Sequence, residues 1–226
     1  MNGSTAVIPV PLKMTTAFIV KEEGTILVDS GYPGSESAIL GKLNELNIAP
    51  EDVRLIVLTH CHPDHAGSAS ILREKTGAKV LIHRLDADKL RNGTQGELHS
   101  VRFVGRILKL FFDREKTSKY PPIEPDIIID DSFDLGEYGI RGQVISTPGH
   151  TLGSVSVILD NGDAIVGDLL IPSFLSNKPN FPFWADDLNE LKKSIQKLVN
   201  YAPKRVYIAH FGGPYSLADL KEKFHV

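Results

Sequence analysis

Residues 60–65 read His60-Cys61-His62-Pro63-Asp64-His65, and they constrain this chain more than any other stretch. They follow Arg54-Leu55-Ile56-Val57-Leu58-Thr59, an apolar, β-rich run with the character of a buried strand. They precede Ala66-Gly67-Ser68-Ala69-Ser70-Ile71-Leu72-Arg73, which reads as a helix. The six residues therefore occupy a strand-to-helix turn. His60 and His62 are two apart, so in an extended segment their side chains face the same way. Pro63 disfavours the α conformation at His62 and keeps that segment extended. Asp64 and His65 then point toward a second position. Two ligand pairs aimed in two directions suggest two metal ions rather than one.

The rest of the chain reads as strands and helices in alternation. Thr16–Val20 and Thr25–Val28 form a hairpin around Lys21-Glu22-Glu23-Gly24. Ser35 to Asn47 has helical spacing, with Ile39, Leu43 and Leu46 on one face. Lys79–Ile82 is a strand ending at His83. Residues 85–125 break this rhythm and are expected to form a helical insertion, with 101–112 too apolar for a solvated helix. Short strands are expected at 127–129, 139–140 and 143–145, a turn at 147–151, and a second hairpin, 154–159 with 164–166, around an Asn-Gly turn. A Pro- and Phe-rich loop covers 172–184. Asp187 to Asn200 reads as an amphipathic helix, 205–209 as a strand, and a last helix starts at Ser216.

Four of these strands end in a residue that can ligate metal: His60, His150, Asp168 and His210. Asp29 ends a fifth. Side chains at the same ends of neighbouring strands converge, where loops carry chemistry on a rigid scaffold. Taken singly, His83, His99 and His225 read as caps or solvated residues. Cys61 lies between two ligands but faces away in an extended segment, so a buried bystander thiol is expected.

Composition narrows the class. The chain has 226 residues, a net charge of −3 and one cysteine. One large domain spanning 1–226 is expected, with a core that needs no disulfide. The charge and the lack of a basic tract argue against a nucleic-acid partner. No stretch reads as a signal peptide or a membrane span, so the expected location is the cytoplasm, with no membrane partner.

The pattern His60-X-His62-X-Asp64-His65, with His150, Asp168 and His210 at the expected intervals, resembles the metallo-β-lactamase superfamily. The similarity covers residues 16 to 212. It implies a four-layer αββα sandwich, of mixed α/β class, with metals at one edge. His60, His62 and His150 resemble the ligands of a first ion. Asp64, His65 and His210 resemble those of a second, Asp168 resembles the bridge between them, and Asp29 resembles the aspartate that braces the ligand turn. Two divalent ions are implied, zinc before iron or manganese. They outweigh the carboxylates and a bridging hydroxide, so the site favours anionic transition states. A metal-bound hydroxide then serves as nucleophile at neutral pH, with Asp64 and Asp168 as the catalytic carboxylates.

The expected activity is hydrolysis of an ester, thioester or lactone-type bond in a small molecule. His62 stands where flavodiiron-type relatives carry Glu, and Ile171 where homoserine-lactone hydrolases carry Tyr. Persulfide dioxygenases share the His-Cys-His-X-Asp-His pattern, so a mononuclear iron dioxygenase remains an alternative, as does a non-catalytic metal-binding protein. Phe111, Phe112, Phe174, Phe181, Phe183 and Trp184 are expected to wall a substrate pocket, with packing or a homodimer interface as the alternative for the same segments.

Overall fold

A computed structural model describes residues 4–97, 99–100, 119–173, 176 and 178–225. Strands β1 (Ala6–Pro11), β2 (Thr16–Lys21) and β3 (Thr25–Val28) form an antiparallel meander. Helix α1 (Glu36–Glu45) crosses over to β4 (Val53–Val57). Helices α2 (Pro63–Ala66) and α3 (Ala69–Thr76) then lead to β5 (Lys79–His83), and α4 (Arg84–Asn92) lies between β5 and β6 (Ile127–Ile129). β3 to β6 run parallel, completing one six-stranded sheet in sequence order.

The second sheet has the order β13-β10-β9-β8-β7. It contains β7 (Ser132–Asp134), β8 (Gly142–Ser146), β9 (Val155–Leu159), β10 (Asp163–Ile165) and β13 (Arg205–Tyr207). A small hairpin, β11 (Ile171–Pro172) with β12 (Pro179–Asn180), and helix α5 (Leu188–Asn200) come before β13. Helix α6 (Leu217–Phe224) follows it, opened by a capping box between Ser216 and Asp219.

Three buried clusters define the layers. Ile19, Leu27, Ile56 and Val80 face Ile39, Leu43, Leu72 and Leu90 of the first helical layer. Between the sheets, Val20, Ile26, Leu55 and Leu81 meet Val144, Val155, Val157 and Ile165. Outside the second sheet, Ile158, Ala164 and Val206 pack on Leu191, Ile195, Leu198 and Leu220. Alternation along each strand sends successive side chains to opposite cores, and the result is the four-layer αββα sandwich.

Several local expectations change. β1 lies outside the expected strands; it carries Pro9 and Pro11 and is an edge strand, where a missing N–H is tolerated. The helix expected from Ala66 is two pieces, interrupted at Gly67-Ser68. Gly139-Ile140 is not a strand. Gly139, at φ 72°, ends a 3-10 turn, and Ile140 is buried between the sheets without strand pairing. Residues 85–92 of the expected insertion belong to α4, which packs Ala87 and Leu90 into the first core. Residues 101–118 lie outside the described residues. Among the described residues no helix is long and apolar enough to cross a membrane.

Candidate metal centre

The ligand turn is held from beneath by Asp29. This buried carboxylate sits at φ 63°, an uncommon conformation for a side-chain-bearing residue, just past β3. Its Oδ1 accepts the Thr59 N–H at 2.7 Å, and its Oδ2 accepts the Thr59 hydroxyl at 2.8 Å. His65 Nδ1–H donates to the same Oδ2 at 2.7 Å. The Thr59 oxygen is then left to accept from His60 Nδ1–H at 3.1 Å. One aspartate thus places a proton on Nδ1 of two histidines and turns both Nε2 atoms into the site.

The second sheet brings the remaining donors. His150 Nδ1–H donates to the Trp184 carbonyl at 2.9 Å, and His210 Nδ1–H donates to the Met14 carbonyl at 2.7 Å. A carbonyl only accepts, so Nδ1 carries the proton and Nε2 is the atom each ring can offer to a metal. The His150 turn rests on the start of α5. Ser194 donates to the Pro148 carbonyl, and Asp187, which caps α5, donates its N–H to the Gly149 carbonyl. Gly149 has φ 143°, and a Cβ there would lie 2.4 Å from the Leu191 Cα. Gly149→Ala should therefore destabilise by about 1–3 kcal/mol, as overpacking against backbone does. Thermal unfolding together with metal content would show whether His150 is displaced. Gly167, beside Asp168, is constrained in the same way, since a Cβ there would meet the Thr59 hydroxyl at 2.6 Å.

The seven donors converge. His60, His62 and His150 form one set, Asp64, His65 and His210 another, and His60, His65 and Asp168 a third, with ligand atoms in each set within 4.8 Å of one another. Asp168 reaches both sides: Oδ2 is 3.5 Å from His150 Nε2 and 3.2 Å from His210 Nε2, and Oδ1 is 3.4 Å from His65 Nε2. Asp64 Oδ2 is 3.3 Å from His210 Nε2 and 3.6 Å from His65 Nε2. Asp29 is joined to the cluster through His65.

The donor set fits a metal. His60 Nε2, His65 Nε2 and Asp168 Oδ1 are buried with no hydrogen-bond partner among the described residues, and leaving such groups unpaired is unfavourable. His62 Nδ1 faces His150 Nε2 at 3.1 Å. With His150 Nδ1 protonated, His150 Nε2 is an acceptor, which either a His62 Nδ1–H or a cation can satisfy. Imidazole with carboxylate suits zinc and other first-row metals.

The two sets differ in charge. Burial, then the neighbouring imidazoles, hold His60 well below the usual histidine range. Burial and His150 push His62 down to about 3. Burial also opposes protonation of His65 and His210, but the carboxylates overcome it. Asp64, Asp168 and Asp29 raise His65 well above its ordinary value, and Asp168 and Asp64 raise His210 to about 10. Burial would raise Asp64 and Asp168, yet His65 and His210 hold both below the usual carboxylate range.

The other expected residues are more scattered. Phe111, Phe112 and Phe174 lie outside the described residues. Phe181 is edge-on to Phe224, ring centroids 4.9 Å apart, and packs against the outer core. Phe183 and Trp184 are half-buried with rings 6.0 Å apart, and Trp184 also orients His150 through its backbone. His83 caps α4, accepting the Leu85 N–H. Cys61 is buried in the first core, its thiol raised well above its usual value by burial and then by Asp86. Cys61→Ser should therefore keep metal content and most activity, and the native thiol should resist alkylation at pH 8 until the chain unfolds. Rapid labelling of the folded protein would contradict that placement.

Phe211 and Leu152 had no signal in the sequence beyond standing one and two positions past His210 and His150. Phe211 is 61% exposed at φ 33°, with its ring 6.2 Å from that of His210. Leu152 is 43% exposed. Phe211 thus stands exposed beside His210 of the carboxylate-rich set, and a strained aromatic at such a place is a pointer to function.

A family model described as the metallo-beta-lactamase superfamily matches residues 11–210. A probable metallo-hydrolase of Methanocaldococcus jannaschii is 27% identical over 191 residues, covering 84% of this chain and 82% of that protein. A probable metallo-hydrolase of Bacillus subtilis is 26% identical over 161 residues, covering 71% of this chain and 67% of that one. The crystal structure of a metallo-beta-lactamase family protein from Thermus thermophilus has the same fold, with a TM-score of 0.69 at 24% identity, covering 98% of this chain and 77% of that chain. Fold, donor pattern and family match agree: the chain belongs to the metallo-beta-lactamase superfamily.

Proposed function

We infer that this chain is a metal-dependent hydrolase that cleaves an ester, thioester or lactone-type bond of a small molecule. The observation that carries this is the convergence of seven donors from both sheets in one cluster, with three buried donor atoms that make no hydrogen bond among the described residues. The likeness to probable metallo-hydrolases supports it. His60, His62 and His150 would hold one divalent cation, zinc in the first instance, and Asp64, His65 and His210 a second, with Asp168 placed to serve both. Such ions, when bound, polarise a carbonyl and lower the pKa of a water they hold to near neutrality.

The chain's own residues supply orientation. Asp64 and Asp168 stay ionised at neutral pH, so they act as acceptors and can orient a water by taking its hydrogen bond. Asp29, Met14 and Trp184 keep the imidazoles from turning. Phe211 and Leu152 offer contact area to an apolar group next to the scissile carbonyl.

Metal analysis and a panel of acyl esters, thioesters, lactones, phosphodiesters and persulfides test the assignment. About two metals per chain with turnover of an acyl substrate is the expected result. One iron per chain with oxygen consumption on a persulfide would replace it with a dioxygenase. Phe211→Ala should raise KM several-fold for longer acyl chains and leave acetyl esters and metal content unchanged. An equal loss on every substrate would assign Phe211 to the integrity of the His210 loop instead.

A further inference from the structure

We propose that Asp86 is a positioning residue that ties the two histidine-bearing turns of the first metal set together. Asp86 is fully buried in the first turn of α4, outside the donor cluster. Its Oδ2 accepts the Cys61 N–H at 3.2 Å and the Thr151 hydroxyl at 2.8 Å. Cys61 is the residue between His60 and His62, and Thr151 follows His150. One carboxylate oxygen thus joins a turn from each sheet, and these two turns carry all three imidazoles of that set.

The surroundings fix this oxygen. A Cβ on Gly153 would lie 2.6 Å from the Asp86 Cγ, so the His150 turn packs directly on the carboxylate. Thr151 is locked by Ser154, whose Oγ accepts the Thr151 N–H at 3.0 Å. The Cys61 peptide is pinned from its other end, where Tyr120 donates its hydroxyl to the Cys61 carbonyl at 2.7 Å. Lys89 Nζ lies 3.0 Å from the other oxygen, Oδ1, and pairs its charge. The effect of Asp86 on the site is therefore one of geometry rather than field. A buried carboxylate is unfavourable unless fully paired. A helix's first turn could carry an acidic residue on its solvent side instead, so burial here calls for a role that solvent exposure would not serve.

Asp29 and Asp86 then divide the work. Asp29 orients the rings of His60 and His65 from beneath, and Asp86 sets the spacing between the His60–His62 segment and His150. Partners of ligands, rather than ligands themselves, typically change metal affinity tenfold to a hundredfold when lost.

The proposal rests on the cluster binding metal and on no particular reaction, so the test measures metal affinity by competition with a chromophoric chelator, using Zn2+ on the metal-free full chain. Asp86→Ala should weaken the tighter site roughly tenfold or more. Asp86→Asn, whose carbonyl can keep the Cys61 and Thr151 bonds, should restore most of it. Thr151→Val removes only the hydroxyl link and should weaken binding several-fold. Combined with Asp86→Ala, where both fold, it should add less than its single effect, because both break one tie. If Asp86→Ala does not fold, Thr151→Val and Asp86→Asn carry the test. Unchanged Zn2+ affinity in Thr151→Val, or equal weakening in the Asn and Ala variants, overturns the assignment. Thermal unfolding of the metal-free variants separates a merely structural role, which would lower the melting temperature without moving affinity. Absence of Zn2+ binding by the parent chain would instead remove the metal-centre assignment on which the proposal stands.

Discussion

Asp168→Ala is expected to empty the metal centre and abolish turnover while leaving the fold in place. Asp168 lies within reach of donors from both sets: one oxygen is near His150 and His210, the other near His65. Removing it would take a charge-compensating oxygen from both proposed ions at once. The loss of transition-state stabilisation supplied by a metal runs to several kcal/mol, which corresponds to about a thousandfold in rate. The ion-pair partners of the side chain are all members of the donor cluster, so circular dichroism and the melting temperature of the metal-free protein should change little. Parent-like metal content and turnover in this variant would remove Asp168 from the centre.

The second large effect is a difference in pH dependence between the two sets. Without metal, His60 and His62 are neutral at pH 7, whereas His65 and His210 are held as cations by the aspartates around them. A cation entering among Asp64, His65 and His210 has to displace those protons, and one entering between His60 and His62 does not. Affinity at the carboxylate-rich set should therefore rise with pH, by about tenfold per unit for each proton displaced. The rise should level off above the His210 value of about 10. Titration calorimetry in buffers of different ionisation enthalpy reads this directly. The first equivalent should release few protons at pH 7 and the second should release more. Equal proton release by both equivalents would mean that the two sets do not differ in this way.

The sandwich was legible wherever one residue pattern served one layer. The runs at 25–28, 54–58 and 79–82 are apolar on both faces because a core lies on each side of them. β1 was hidden by two prolines that only an edge tolerates, and β7 by its length, three residues with one apolar side chain. Gly139-Ile140 misled because burial of Ile140 resembles strand burial when pairing cannot be seen. The donor types were visible because His60 to His65 are contiguous and the other three stand at strand ends. Their holders were not. Met14 and Trp184 act through backbone carbonyls, which leave no mark in a side-chain alphabet. Asp86 looks like any acidic residue in a helix's first turn, and only the folded chain shows that it faces inward.

The donors are split between the sheets: four hang on the turn after β4 and three on loops of the second sheet. Each half of the chain thus carries an incomplete coordination shell. An ion held by these donors would be a removable staple between sequence positions 60 and 210. It binds only the closed arrangement, so free metal at a thousand times its dissociation constant adds about 4 kcal/mol to the folded state. Any opening that slides one sheet off the other has to surrender the ion first. Protease attack on such open forms follows their population, so metal-starved chains should be degraded faster than loaded ones. The lifetime of this protein in a cell would then report how much metal the cell can spare.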